Sequence, residues 1–229
     1  MLRIRVLGDL RLEIDGAGID APVGRRAQAL LGWLALHPGP HPRSRLASRF
    51  WPDVLETSAR ASLRVALSEV RAALGPAARF VEADRTRVGL APGVWVDALV
   101  FDELAAAGDL AGALTLATGE LLPDLDDDWV LDARDDHRLA VIAALGAYAT
   151  QREAAGDLDQ AIALSRRAVA LDPLGEATAR ELMRRLAVAG ETAAAADVAA
   201  RLTAAGVRAR RGSECRDART PRQRACHAA

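Results

Sequence analysis

The chain has 229 residues, about half of them apolar, so it can form two ordinary domains that each bury a core. No stretch of about 18 apolar residues is free of charge, so no membrane span is predicted. The first residues alternate between apolar and charged side chains instead of forming the apolar run of a signal peptide. We therefore expect a globular cytoplasmic protein.

The sequence lacks the usual signatures of catalysis and of metal or cofactor binding. The only cysteines, Cys215 and Cys226, have no CxxC spacing, and a bystander pair in a polar tail explains them better than a metal site or a disulfide. The chain has no GxxxxGKS or GxxxxGKT loop and no lysine, and its four histidines are scattered, none with a serine or cysteine partner at a recognisable motif. We expect no enzymatic activity, no cofactor and no metal.

Charge is distributed unevenly along the chain. Residues 1–95 carry 14 arginines against 9 acidic residues, a net charge of +5, whereas residues 96–205 carry 9 against 20, a net charge of −11. Residues 206–229 return to +5, with 7 arginines against 2 acidic residues. A basic first part beside an acidic second one is expected when only the first approaches a polyanion such as double-stranded DNA. Chance variation of surface charge is the alternative explanation.

The first 96 residues show the element order of a winged helix-turn-helix. From Leu2 to Ile14 apolar and polar residues alternate, which predicts a small antiparallel sheet. Three helices and a hairpin are predicted next, over about 25–36, 44–51, 58–74 and 80–96. The hairpin turns around Asp84-Arg85-Thr86, and in a winged helix such a hairpin lies beside the minor groove of DNA. We expect Arg85 and Arg87 to contact DNA there.

The third predicted helix, 58–74, has an apolar stripe and an opposite face that suits the DNA major groove. Its stripe consists of residues at spacings of four, three and four: Leu63, Leu67, Val70 and Leu74. On the opposite face hydroxyls and a carboxylate can address base edges, a valine can meet a thymine methyl group, and arginines can bind phosphates. The predicted DNA-binding residues of this helix are Ser62, Arg64, Val65, Ser68, Glu69 and Arg71. A solvated helix face is the alternative interpretation.

The second part of the chain is helical in pattern and repeats. The segment AAGDLAGALTLA (106–117) resembles AAGDLDQAIALS (154–165), and a looser copy follows at 189–199. Gly156 and Gly190 are 34 residues apart, as are Ala161 and Ala195, and 34 residues is the tetratricopeptide period. Tetratricopeptide helix pairs stack into a solenoid that binds other proteins, so protein partners are expected for this domain.

Three segments in order, RSRLASRFWPD (43–53), ARASLRVALSEVRAALG (59–75) and APGVWVDALVFDEL (91–104), resemble the Streptomyces antibiotic regulatory protein family. Its DNA-binding domain is similar to the winged helix of OmpR-type effectors of two-component systems. The segment GELLPDLDDDWVLDARDDHR (119–138) resembles the bacterial transcriptional activator domain that accompanies it. The resemblance implies an actinobacterial activator of a biosynthetic gene cluster, with double-stranded DNA and RNA polymerase or a regulatory protein as partners.

By the same resemblance the second and third helices form the helix-turn-helix. Ser62, Val65 and Glu69 then map onto its base-facing side, and Arg64, Ser68 and Arg71 lie near the DNA backbone. OmpR-type relatives often carry a basic residue where Glu69 stands.

The acidic run Asp124 to Asp128 could be mistaken for a calcium loop. It lacks the central glycine and the distal glutamate of that motif, so we interpret it as the acidic N-terminal cap of a helix that leads into Trp129.

The predicted fold is mainly α with a small β component, in three parts. Residues 1–96 form a winged-helix DNA-binding domain, residues 97–205 an all-α tetratricopeptide-like activator domain, and residues 206–229 a basic disordered tail. The tail is read either as a truncated or frameshifted end or as a basic arm. An uncapped last repeat would favour a homodimer or lower stability. The alternative function is a protein–protein interaction scaffold whose winged helix does not bind DNA.

Overall fold

The computed structural model describes the backbone of residues 1–217 and the side chains of residues 1–206. The chain forms two compact units, the first from Met1 to Ala140 and the second beginning at Val141. The fold is mostly helical with a small β component, which confirms the predicted fold class. Within the described residues, the helices are too short or too polar to cross a membrane.

The first unit opens with a four-stranded sheet. Its strands are β1 (Leu2–Arg5), β2 (Arg11–Ile14), β3 (Ala17–Ile19) and, much later in the chain, β7 (Trp95–Val96). The order is β3-β2-β1-β7, with β1 antiparallel to β2 and parallel to β7. Leu2 lies opposite Ile14, and Ile4 lies opposite Leu12. The predicted alternation therefore places one apolar face of the sheet on the core.

Three helices and a second sheet complete a winged helix. The helices are α1 (Arg25–Leu36), α2 (Arg43–Phe50) and α3 (Glu56–Leu74). The second sheet has the order β4-β6-β5, formed by β4 (His41–Pro42), β5 (Val81–Ala83) and β6 (Arg87–Leu90). The hairpin of β5 and β6 is called the wing below. The predicted stripe of α3 is buried, with Val70 and Leu74 fully inaccessible to solvent.

The core of the first unit extends beyond residue 96. After β7 follow α4 (Asp97–Ala106), α5 (Leu110–Leu116) and the first part of α6 (Asp128–Ala154). Leu121, Leu122, Leu125, Trp129 and Val130 are buried in one cluster with the core of the winged helix. The compact unit thus ends at Ala140, 44 residues after the predicted boundary. Whether residues 1–96 fold without this segment stays a prediction.

The second unit consists of helices joined by repeated turns. The rest of α6 is followed by α7 (Leu158–Leu171), α8 (Glu176–Val188) and α9 (Thr192–Asp217). Gly156 and Gly190 end α6 and α8 with φ of +82° and +80°, a left-handed conformation that a glycine adopts without strain. Gly108 does the same after α4, at φ +84°. The AAGDL repeat seen in the sequence is therefore a repeated helix-ending turn.

Helix α9 extends into the segment that the sequence predicts as a disordered tail. The backbone of α9 continues through residues 206–217, which the sequence analysis had assigned to the tail. Once a helix has formed, each further residue adds one hydrogen bond at low entropic cost, and the alanine and arginine of this stretch are good helix formers. The rest of the predicted tail, 218–229, lies outside the described residues.

Candidate nucleic-acid interface

The predicted contact residues of α3 lie on two sides of one exposed face. Val65 points outward, with 59% of its surface exposed. Arg64, Ser68 and Arg71 follow the side of the helix that faces the wing, whereas Ser62 and Glu69 follow the side that faces the start of α1. Residues three and four apart share a helix side, which explains both groupings. The six residues therefore spread over about half of the helix circumference, with Val65 between the two groups.

A groove of about 660 Å³ lies between the start of α2, the side of α3 and the wing. Four arginines line it: Arg43, Arg60, Arg64 and Arg85. Arg60 also pairs with Glu56 one turn earlier on α3. Several guanidinium groups around one groove create a positive potential that attracts phosphate groups. This groove gives the predicted helix-turn-helix a basic surface beside the wing.

Two of these arginines, Arg43 and Arg60, are absent from the DNA-binding residues predicted from the sequence. Arg60 could have been found, because it precedes Arg64 by one helical turn and so shares its side. Arg43 carried no comparable signal, since its place in the groove depends on how α2 meets the wing.

The wing turn is held by the carboxylate of Asp84. Asp84 Oδ1 accepts the backbone N–H of Thr86 and, at 2.8 Å, that of Arg87. These hydrogen bonds favour the ionised carboxylate and lower the pKa of Asp84 below its ordinary value. The turn presents Arg85 and Arg87 as exposed side chains, as predicted for a wing. Contact of either residue with DNA stays a prediction.

Arg71 has a partner inside the protein. Its Nη2 donates to the backbone oxygen of Val81 in β5 at 3.3 Å. Part of its guanidinium group therefore links α3 to the wing. The predicted contact of Arg71 with the DNA backbone stays a prediction.

Glu69 lies against the start of α1. A methyl group built on Gly24 would come within 2.2 Å of Glu69 Oε2, so the carboxylate occupies the space above this glycine. Gly24 precedes the first residue of α1, where the helix dipole is positive and favours an anion. This placement puts the Glu69 carboxylate beside the N-terminus of α1.

A second cleft, of about 490 Å³, joins this side of α3 to α1. Ser62, Val65 and Glu69 line it together with Arg25, Arg26 and Trp51. The base-facing set predicted from the sequence thus borders two further arginines.

These two arginines are paired with the acidic run that precedes α6. Arg25 Nη2 donates to Asp126 Oδ1 at 2.9 Å and to the backbone oxygen of Asp124 at 2.8 Å. Arg26 forms an ion pair with Asp127. The interpretation of this run as a helix cap holds for its last two residues: the backbone oxygen of Asp127 accepts the N–H groups of Val130 and Leu131, and Asp128 lies in the first turn of α6. Asp124 and Asp126 precede the helix and bind Arg25 instead.

Trp129 anchors this acidic segment in the core. It is 9% exposed, and its ring meets that of Phe50 edge to face at 6.4 Å between centroids. Among the side chains of residues 1–206, no three histidine, cysteine or acidic groups are placed together so that they could hold a metal ion.

The fold and this surface define a winged-helix protein with an appended helical repeat. The family profile of the bacterial transcriptional activator domain matches residues 98–218, just over half of the chain, and the chain belongs to this family. Membership confirms the resemblance to Streptomyces antibiotic regulatory proteins at the level of a transcriptional activator family. No curated protein matches.

A solved structure, Mycobacterium tuberculosis EmbR in complex with low affinity phosphopeptide, is similar to this chain, with a TM-score of 0.72. The two are 23% identical over 88% of this chain and 58% of the EmbR chain. This chain therefore spans less than two thirds of EmbR, and the likeness shows a shared fold.

Proposed function

We propose that the chain is a sequence-specific DNA-binding transcriptional regulator that activates a biosynthetic gene cluster in the cytoplasm and performs no catalysis. Helix α3 enters the major groove, and the wing follows the adjacent minor groove. The helical repeats bind RNA polymerase or a regulatory protein. The observation that carries the proposal is the groove lined by Arg43, Arg60, Arg64 and Arg85.

The positions of these arginines fit the backbone of one DNA duplex. Arg43 stands at the first residue of α2, Arg64 on the side of α3 and Arg85 at the wing tip. A recognition helix lying in the major groove brings phosphates to both of its flanks, so one groove with arginines from three elements can bind the DNA backbone. The net charge of +5 over residues 1–95 adds a wider attraction.

Val65 is the best candidate for base recognition. Its methyl groups are exposed at the outer edge of α3, between the basic groove and the cleft beside α1. An apolar side chain in the major groove discriminates by contacting the thymine methyl group. Glu69 is a weaker candidate, because its carboxylate lies against Gly24.

The test starts with selection of bound sequences from a random DNA pool by the full chain, followed by gel shifts at several salt concentrations. Arg64→Ala should weaken binding to all sequences and reduce the salt slope by about 0.9, the effect of one lost phosphate contact. Val65→Ala should leave the slope unchanged and alter base preference, by about 1–3 kcal/mol at one base pair. Arg11→Ala removes an exposed arginine from β2 and is the matched control.

The selected sites also test dimer formation, since direct repeats would indicate two copies on one site. A scaffold whose winged helix binds protein is the second candidate, favoured by the exposed Val54 and Leu55 ahead of α3, which are 47% and 79% exposed. Failure to enrich any sequence, together with absence of salt-dependent binding, would reject the DNA-binding proposal and favour the scaffold.

A further inference from the structure

Arg43, the first residue of α2, makes two hydrogen bonds to the wing turn, beside the pairing of β4 with β6 that also joins the wing to the segment before α2. Its backbone N–H donates to the backbone oxygen of Thr86 at 2.8 Å. Its side-chain Nε donates to the backbone oxygen of Asp84 at 2.9 Å. Both acceptors belong to the turn that carries Arg85. One residue of the helix-turn-helix therefore holds the wing tip from two sides.

The wing needs such a connection. Its strands β5 and β6 have three and four residues, and a two-stranded hairpin this short is marginally stable alone. The Asp84 carboxylate fixes the shape of the turn, because its partners lie within the same turn. It does not fix the position of the turn relative to α2, which depends on β4 and on Arg43.

We propose that Arg43 is a positioning residue for DNA binding: through its Nε it holds the wing turn at a set distance from α2 and so places Arg85 for the minor groove. This inference rests on the proposed function. It assigns to Arg43 a role distinct from a phosphate contact, although its guanidinium also lines the basic groove. The two roles make different demands on the side chain.

Lysine separates the two roles. A phosphate contact needs a positive charge near the groove, which lysine supplies at the end of a flexible stem. The bond to Asp84 needs an N–H at the position of Nε, and lysine has only a methylene group there. Arg43→Lys therefore keeps the charge and the backbone bond to Thr86 but removes the side-chain tie to the wing.

The experiment compares the full chain with Arg43→Lys, using Arg45→Lys in the same helix as the matched control. Hydrogen exchange of the free protein reports on the wing at the amides of Asp84 and Arg87, whose N–H groups are hydrogen-bonded within the hairpin. We expect exchange there to be about twofold to tenfold faster in Arg43→Lys, the effect of losing one hydrogen bond. The control should exchange like the parent.

With DNA from the selection, hydroxyl-radical footprints and salt slopes complete the test. Arg43→Lys should lose protection of the sugars under the wing and bind about threefold to tenfold more weakly, with the salt slope of the parent. Parent-like exchange and wing protection in Arg43→Lys would overturn the inference. If Arg43→Ala and Arg43→Lys differ only in the salt slope, and this slope is lower by about 0.9 in Arg43→Ala, then Arg43 makes a phosphate contact instead.

A parent chain that binds no DNA would reject the proposed function before any variant is compared. The exchange measurement would still decide whether Arg43 holds the wing, so the two failures can be told apart.

Discussion

Asp97 Oδ1 accepts the backbone N–H of Val6 at 2.8 Å, so the first residue of α4 is bonded to the strand end that lies 91 residues earlier. Asp97 Oδ2 accepts the N–H of Leu7 at 3.1 Å, and the residue is only 2% exposed. Burial raises the pKa of Asp97, and the bonds from Val6, Leu7 and Ala98 oppose that rise. A buried carboxylate thus joins the activator-domain segment to the winged helix within the first unit.

Replacing Asp97 should destabilise the first unit. Asp97→Ala leaves the amides of Val6 and Leu7 buried without an acceptor, at a cost of about 1–3 kcal/mol each. Asp97→Asn keeps one acceptor oxygen and should lose less. Urea unfolding at pH 7 measures both effects. Equal stability of Asp97→Ala and the parent would show that water replaces the carboxylate.

The raised pKa gives the same residue a pH signature. Between the ordinary and the raised pKa the folded chain binds the proton more readily than the unfolded chain does. The contribution of Asp97 to the free energy of unfolding is therefore fully present at acid pH and is lost as the pH rises through the raised pKa. The stability difference between the parent and Asp97→Asn should fall across that interval and stay constant at neutral pH. A stability difference that grew with pH would contradict the raised pKa of Asp97.

The acidic run ahead of α6 should restrain DNA binding. Asp126→Asn with Asp127→Asn removes the carboxylate partners of Arg25 and Arg26 beside Ser62 on α3, while Arg25 keeps its hydrogen bond to the backbone oxygen of Asp124. An exposed ion pair such as Arg25–Asp126 contributes only about 0–1 kcal/mol, and asparagine at residue 127 keeps the side-chain shape, so the loss of stability should be small. Affinity for selected DNA at low salt should rise, and the salt slope should become steeper by about one unit for each arginine that gains a phosphate.

The control for this double variant is Asp132→Asn with Asp136→Asn, two exposed residues of α6 that give the same change in net charge. If both double variants gain affinity equally, the effect reflects net charge alone and the pairing with α1 has no part in it.

Local patterns predicted much of this molecule, and long-range contacts account for what they missed. The apolar stripe of α3 and the turns at Gly156 and Gly190 depend on the spacing of residues within one or two elements. The periodicity of the sequence reveals such spacing. The pairs Asp97–Val6 and Arg25–Asp126 join residues about a hundred positions apart, and no local pattern encodes such a pair. The boundary predicted at residue 96 also rests on local patterns, because charge and periodicity change there. The buried core continues past it through long-range contacts.

Glu153 should make the second unit sensitive to acid. It accepts hydrogen bonds from Arg184 at 2.6 and 2.7 Å and from Arg185 Nε at 2.9 Å. These bonds, that of Arg184 foremost, lower the pKa of Glu153 to about 2. The stabilisation is present above the ordinary glutamate pKa of about 4.5 and is lost as the pH falls toward 2.

Glu153→Gln should cost about 1–3 kcal/mol at pH 7, because Arg185 is 2% exposed and would lose the nearer of its two charged partners. The loss should shrink as the pH is lowered, which thermal unfolding between pH 7 and pH 3 would measure. Glu181→Gln touches the same two arginines from a side chain that is 55% exposed and should cost less. A larger loss in Glu181→Gln would contradict this account.

The DNA-binding unit should extend past residue 99, to about Ala140. Trp129 and Leu122 are buried in the core of the winged helix. Leu122 packs closely on Gly32 of α1, since a methyl group built on Gly32 would come within 2.8 Å of Leu122 Cδ1. A fragment of residues 1–140 keeps these contacts, whereas a fragment of residues 1–99 exposes the surface they cover. Burial of each large apolar side chain contributes about 1.5–3 kcal/mol, and small domains have only about 5–15 kcal/mol in total. We therefore expect the fragment 1–140 to unfold cooperatively and to bind the selected site, and the fragment 1–99 to be largely unfolded.

Calorimetry and gel shifts of both fragments test this, and in the full chain Trp129→Ala should destabilise far more than Leu131→Ala, whose side chain is 48% exposed. If the fragment 1–99 unfolds cooperatively and binds as tightly as the fragment 1–140, the domain boundary is the one that charge and periodicity predict, and the segment from α4 to Trp129 is dispensable for the winged helix.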